Sequence, residues 1–524
     1  MNATALELFF GFIIFILLIN VWIECGNLLI KKLAKINSEE KIFFFVNKIM
    51  LGIAIYTIVL FILSFLTEFF VNPKNYFVGS NLTIFIIQLN RIRKRNFKFN
   101  EKLKSFSENI KISFNDFFSG KEHILMRTFF ILILTAIFLI LISRSIFIPI
   151  SGNDAIGWID YKGFTITFTN SYDYITPRIE HPLMLPLIHS TVYSFIDNDT
   201  FIQLFYVLAY FLIIIFIKNS LDKEIPIKKR EYSYIGTLLV ATSPVLLNWT
   251  ARSYADPVVA LFFTVSVITS IKALKSFSNG NYDKYIAYHK ISFCVSIFLP
   301  WIKSEGVGLF IIFHLLFLMN ALFVYRMKEK SLIIRNHLKY LVLTCPVVSV
   351  WPLISSVFLG VQSEYTTIIK ELILEREILS PRWEDLLLII KSIFIMEFGI
   401  LIKTSGLIIP GYNIPYYNSY TSLFFYLIWG ATILGFLRIL MGKANEKENL
   451  IGKILITTNI TSVCLFIFAF YISPYRDRLG WAIGTFMDRL ILIFLPILIF
   501  FTVIYISTFS TNNEKHDSNL LEFN

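Results

Sequence analysis

Residues Ile124–Ile148 read ILMRTFFILILTAIFLILISRSIFI. From Ser151 to Pro186 the chain turns polar: SGNDAIGWIDYKGFTITFTNSYDYITPRIEHPLMLP. The first stretch is predominantly apolar and exceeds the roughly 20 residues a helix needs to cross the hydrocarbon of a bilayer. The second is the first long polar interruption in a very apolar chain. It opens on a carboxylate, Asp154, with Trp158, Tyr161 and Lys162 just after it. Packing explains that placement poorly. Ionisable groups at membrane depth are expensive and tend to be kept for function, so Asp154 is the first candidate for a catalytic carboxylate.

Composition agrees with a membrane setting. Of 524 residues, 56% are hydrophobic and 16% charged, against roughly 25% charged in ordinary soluble domains. Phe alone contributes 54 residues. A water-soluble globule cannot hide that much apolar surface, so the fold class is an all-α, polytopic transmembrane helical bundle. The net charge of +12 does not point to nucleic acid. The basic residues sit in short loops between apolar runs, as the positive-inside bias demands. Cys25, Cys294, Cys345 and Cys464 are scattered through apolar segments, a spacing that offers neither a metal site nor a disulfide framework. The N-terminus lacks a basic leader and a small-residue cleavage site, so the first helix is expected to be retained. High Ile, Asn, Lys and Phe content suggests an AT-rich genome and a multi-pass protein of the bacterial inner (plasma) membrane.

Working outward, apolar runs mark about thirteen crossings: 6–30, 43–70, 76–89, 124–148, 201–217, 234–249, 257–271, 291–300, 307–324, 341–359, 421–440, 450–472 and 490–506. Residues 181–195 are apolar but short and carry Pro182, Pro186 and His189. Loop parity keeps this segment on the outer side, as a juxtamembrane helix lying in the interface or re-entering. Residues 91–122 read either as an amphipathic helix on the inner surface or as a solvated loop. The run 386–401 breaks the parity if it spans and is left unresolved. The organisation is then 1–123, extra N-terminal helices and an inner amphipathic segment; 124–510, a transmembrane core with an outer loop at 149–200; and 511–524, a polar cytoplasmic tail.

Sorting charges by side leaves Asp154, Asp160, Lys162, Arg178, His181, Arg252, Asp256, Lys303, Glu305, Arg476, Arg478, Asp488 and Arg489 at the outer ends of predicted spans. A glycosyl donor carried on a lipid phosphate needs both signs of charge at a membrane surface. Its leaving group is an anionic phosphate that Arg or Lys can neutralise, and its acceptor hydroxyl needs a carboxylate to take the proton. Plainer readings exist for each residue. Asp256 precedes Pro257 and suits an N-cap. Lys303 and Glu305 can simply pair at a hairpin tip, and Arg489 can snorkel or pair with Asp488.

In order along the chain, five short motifs resemble those of the membrane-embedded glycosyltransferases of the GT-C superfold, the group of protein O-mannosyltransferases and lipid A aminoarabinose transferases. Asn153-Asp154-Ala155 with Trp158 and Lys162 looks like their first-outer-loop acidic motif, and His181-Pro182-Leu183 with Leu185-Pro186 like the start of their juxtamembrane helix. Ala251-Arg252 through Asp256 resembles the second outer acidic site. Lys303-Ser304-Glu305-Gly306 resembles a K-x-E-G hairpin tip, and Asp488-Arg489-Leu490 with Pro496 a motif near the last helix. The resemblance implies a GT-C-type bundle that transfers a sugar from a polyprenyl-phosphate donor to a lipid or glycan acceptor among membrane lipids. Asp154 would be the base and Asp256 a second carboxylate. Lys162, His181, Arg252, Lys303, Glu305 and Arg489 would bind substrate, Lys303 and Arg489 at the donor phosphate. These residues make no cofactor certain. If a divalent cation, Mg or Mn, is used, Asp154 and Asp256 would hold it. The chain departs from the simplest members in its three spans before Ile124 and in having a lone Asp256 where they carry paired acids. A polysaccharide polymerase or ligase using a lipid-diphosphate glycan, with Arg476 and Arg478 carrying more of the chemistry, is one alternative. A non-enzymatic lipid or solute transporter is another.

Overall fold

A computed structural model describes residues 5–33, 40–66, 73–93, 124–150, 155–169, 181–195, 199–324, 330–353, 383–404, 418–471 and 489–509. Among these residues every regular element is helical. Nine helices are long and apolar enough to cross a membrane, by length and composition. The chain divides into two compact units, Met1–Ser220 with Thr250–Phe310, and Leu221–Trp249 with Ile311–Asn524.

The first unit is built from α1 (Ala5–Leu33), α2 (Lys41–Leu66), α3 (Pro73–Arg93), α4 (Ile124–Phe147), α5 (Tyr161–Thr169), α6 (Met184–Tyr193) and most of α7 (Thr200–Glu224). It also holds α10 (Asp256–Ser278), α11 (Tyr282–Ser296) and the single turn α12 (Leu299–Ile302). Helix α10 lies innermost, with 94% of its most apolar stretch buried, whereas α4 buries 17%. On α4 a stripe of Phe130, Ile137, Leu141 and Ser145 faces inward, at the spacing of one helix face. Leu125, Phe129, Leu132, Leu139, Ile140 and Phe147 are exposed. In water so large an apolar face would drive association. In hydrocarbon it costs nothing.

Helices α1 and α2 meet backbone to backbone. A Cβ on Gly26 would run into the Lys48 carbonyl oxygen, and one on Gly52 into that of Trp22. Small residues permit this approach in lipid, where helices have only packing and hydrogen bonds to hold them together.

The spans of this unit alternate in direction, and their ends sort into two faces. At one face, Lys272 near the end of α10 lies 3.9 Å from Glu40 at the start of α2 and over the rings of Phe43 and Phe216. Lys31, Lys32, Lys41, Lys275 and Lys284 belong to the same helix ends. At the other face, the Ile150 amide donates to Asp199 Oδ2 at 2.7 Å and Gln203 donates to the Ile148 carbonyl at 2.8 Å. Both bonds join the exit of α4 to the entry of α7. Arg144 donates to the Ala251 carbonyl at 2.6 Å, and the Trp301 indole to Thr57 Oγ1 at 3.1 Å, so α10, α12 and the far half of α2 also end here.

The second unit holds α8 (Arg230–Ala241), most of α9 (Pro244–Ala251), most of α13 (Gly306–Met319) and α14 (Lys330–Leu353). It is completed by α15 (Trp383–Thr404), α16 (Asn418–Leu440), α17 (Glu446–Tyr471) and α18 (Arg489–Phe509). Helices α15, α16 and α17 pack on one another. The α16–α17 turn is closed by Arg438, which donates to the buried carboxylate of Glu448 at 2.9 Å. Buried His314 and His337 share a hydrogen bond of 3.0 Å between α13 and α14.

Four of the expected crossings are not among these nine spans, three of them for a visible reason. Helix α3 forms, but Asn81, Gln88, Asn90, Arg91 and Arg93 dilute its apolar surface. The run 234–249 breaks at Thr242–Pro244 into α8 and α9, because proline cannot continue a helix through its own amide. The apolar helix from Gly306 to Leu322 is shorter than the others. The expected crossing 341–359 extends past Leu353, where the described residues of this helix end. The run 386–401 is helical within α15 but is not among the nine.

Residues 181–195 form the expected short helix, packed within the first unit. Helix α6 has ten residues, about 15 Å, and is buried from Met184 to Val192. It packs against α2, α3, α5 and α12. The segment 94–122 and the tail lie outside the described residues.

Replacing Gly52 by Leu is expected to force α1 from α2 and cost about 1–3 kcal/mol, the usual range for overpacking. Gly79→Ala on α3, where an added Cβ meets nothing within 4 Å, should leave stability unchanged or slightly raised. Unfolding temperatures in detergent check the pair, and equal values for both variants would refute the close contact.

Candidate functional site

The entry to α10 is a bent approach. After α9, Ser253 takes φ 59°, the left-handed region that non-glycine residues seldom adopt. Its hydroxyl is buried, with no hydrogen-bond partner among the described residues. Such strained positions cluster at functional sites. The turn delivers Asp256 as the first residue of α10, with Pro257 behind it. The N-cap position falls on Ala255, whose carbonyl accepts from the amides of Val258 and Val259. The Asp256 carboxylate therefore does not act as the N-cap.

It meets Lys303 instead. The ammonium donates to Asp256 Oδ1 at 3.0 Å, with the two side chains 9% and 1% exposed, and it lies 3.4 Å from Glu305 Oε1. Lys303 caps α12 in extended conformation. The tip then closes with the Gly306 amide donating to the Lys303 carbonyl at 2.9 Å. Gly306 sits hard against α12, where a Cβ would strike the Leu299 carbonyl. That contact explains glycine at the fourth position of the Lys-Ser-Glu-Gly tip.

Ser304 extends the cluster, its Oγ lying 2.9 Å from Nδ1 of buried His181. The His181 carbonyl accepts from the ammonium of Lys162 at 3.3 Å, and Lys162, on α5, has no solvent exposure. Just before Lys162, the single π turn Ala155–Asp160 ends in a carboxylate. Asp160 Oδ1 lies 3.1 Å from His189 Nδ1 and accepts from the Tyr193 hydroxyl at 2.8 Å. His189 Nε2 is 2.9 Å from the Tyr206 hydroxyl. A carboxylate, an imidazole and a phenol thus join α5, α6 and α7 through partners that each satisfy a buried polar atom, as a low-dielectric interior requires.

Of the residues expected at the site, Lys162, His181, Asp256, Lys303 and Glu305 come together in this one connected set. Arg252 is exposed at the turn before α10. Arg489 is buried in the second unit at the start of α18, 5.8 Å over the Trp249 ring. Asp154, Arg178, Arg476, Arg478, Asp488 and the Trp158 side chain lie outside what is described. Sequence reasoning did not assign roles to Ser304, His189, Tyr193 and Tyr206. The only available signals were the position of Ser304 inside the tip and two polar rings in apolar runs. Asp256 meets the Lys303 ammonium at Oδ1, and Asp154, its expected partner in holding a divalent cation, lies outside the described residues. Among the described residues no group of three or more His, Cys, Asp or Glu could hold a metal ion. Compared with protein-family models, curated proteins and solved structures, the chain matches none.

Removing one partner of a buried ion pair strands the other. Lys303→Met alone is expected to cost about 3–5 kcal/mol of stability, whereas Lys303→Met combined with Asp256→Leu should recover most of it. Denaturant unfolding of the single and double variants tests this. Additive losses would show that the two side chains are not coupled.

Proposed function

We propose that this chain is an integral-membrane glycosyltransferase of GT-C type, taking a sugar from a polyprenyl-phosphate donor to a cell-envelope acceptor. The observation that carries the reading is the near-buried Lys303–Asp256 pair with Glu305, joined to His181 through Ser304 at the ends of spanning helices. The lysine-rich ends of the same helices lie at the opposite face. By the positive-inside bias those ends are cytoplasmic, which puts the cluster at the outer leaflet, where a lipid-linked sugar and an envelope acceptor meet.

The chemistry needs few parts. The acceptor hydroxyl gives its proton to a carboxylate as its oxygen bonds to the sugar's anomeric carbon. The bond from that carbon to the phosphate oxygen breaks, and its electron pair leaves on the lipid phosphate. Lys303 is positioned to neutralise that developing charge, and a site shielded from water strengthens the effect. Asp256 is engaged with Lys303 and orients it, so the base in this proposal is Asp154. His181 and Lys162 form the wall behind the tip. Arg252 at the rim is proposed as a further donor contact, and no step uses a metal ion. Transport is disfavoured by α10: the innermost helix of the first unit carries no charge between Asp256 and Lys272, whereas a transporter binds its substrate near the midplane.

Purified protein in lipid nanodiscs, given polyprenyl-phosphate sugars and envelope lipid extract, should yield a glycosylated product by mass analysis. Asp154→Asn should slow transfer by about 10²–10⁴-fold, the contribution of a general base. Lys303→Ala should slow it by about 10²-fold or more. Undiminished transfer by Asp154→Asn rejects it as the base. Solute flux without any covalent product rejects the enzyme.

A further inference from the structure

Lys303 faces two carboxylates that are not equivalent. Asp256 stands 3.0 Å from the ammonium with 1% of its side chain exposed, at the head of the most buried helix of its unit. Glu305 stands at 3.4 Å with 37% exposed, in the turn itself. We propose that Glu305 is a built-in stand-in for the donor's phosphate, occupying Lys303 until a lipid phosphate replaces it. By this exchange it sets the site to prefer a singly charged phosphodiester over a diphosphate. The identity of the anion rests on the glycosyltransferase reading above.

Asp256 cannot swing away without leaving a bare charge in a buried place. Glu305 has the shorter way out: its side chain is partly exposed and the longer of the two, although its Oε2 is itself covered. The backbone beneath it need not move. Gly306 is wedged against the Leu299 carbonyl, and Trp301 is pinned by its hydrogen bond to Thr57. Lys303 and Asp256 stay in place while one rim carboxylate yields to the arriving anion.

Such an exchange trades one negative charge for another and leaves the local balance unaltered. A diphosphate brings a second charge into surroundings where uncompensated charge is costly. The other lysine of the cluster, Lys162, is buried on α5 with its ammonium turned to the His181 carbonyl. Glu305 thereby lowers affinity for every anion and penalises the doubly charged ones most, a repulsive element of the kind that sharpens specificity.

The test is calorimetric titration of the full-length protein in detergent with two probes, farnesyl methyl phosphate with one charge and farnesyl methyl diphosphate with two. Wild type should bind the first more tightly. Glu305→Gln should bind the phosphodiester about fivefold or more tighter than wild type, and gain still more for the diphosphate, narrowing the preference. Glu305→Asp, which keeps the charge but shortens its reach, should fall between. Lys303→Ala should bind neither probe. If Lys303→Ala loses binding while Glu305→Gln binds no more tightly than wild type, or keeps the same preference, the stand-in role is overturned and the glycosyltransferase reading survives. If wild type and Glu305→Gln both ignore both probes, the two proposals fall together.

Discussion

An ammonium and a carboxylate 3.0 Å apart, one on the turn after α12 and the other at the head of α10, hold the first unit's working end together. Removing either side chain would leave the other as an uncompensated buried charge. Lys303 fixes where the α12–α13 turn sits over α10, and Ser304 carries that constraint to His181 and the segment entering α6. The Lys162 bond to the His181 carbonyl then ties in α5. Each link is short and satisfies a group that would otherwise be stranded, so the cluster behaves as a chain of mutual obligations.

Such a pair is not explained by stability. Buried ion pairs replaced by well-packed apolar side chains of similar volume leave proteins as stable or more so. The hydrocarbon setting and the glycine-mediated contact of α1 with α2 would hold a bundle without it. A lysine with one fixed and one rim carboxylate is the arrangement on which the proposed anion site rests. The Asp160–His189–Tyr206 connection is different in kind. Both ring nitrogens of His189 are occupied by neighbours on its own or adjoining helices, so it braces the short helix α6 and leaves no nitrogen for a substrate.

The membrane class was legible from composition, and the long spans from uninterrupted apolar runs, because length and hydropathy alone decide whether a helix tolerates lipid. Among the described residues nine of the thirteen expected crossings are helices of membrane length, and the run 234–249 is interrupted at Thr242–Pro244. The Lys-Ser-Glu-Gly tip and Asp256 could be picked out because charges at span ends are rare and costly. Their pairing could not, since a separation of forty-seven residues carries no periodic signal. His189, Tyr193 and Tyr206 were hidden for the opposite reason: in sequence they sit among apolar neighbours, and only the fold turns them toward Asp160.

The peripheral helix α4 has a role beyond filling space. Its outer surface is wetted by lipid tails, while near its far end Arg144 grips the Ala251 carbonyl, five residues ahead of Asp256. A helix with so much apolar surface slides or tilts to follow the thickness of the bilayer around it. Arg144 thus links that lipid-facing helix directly to the turn that leads to the carboxylate at the head of α10.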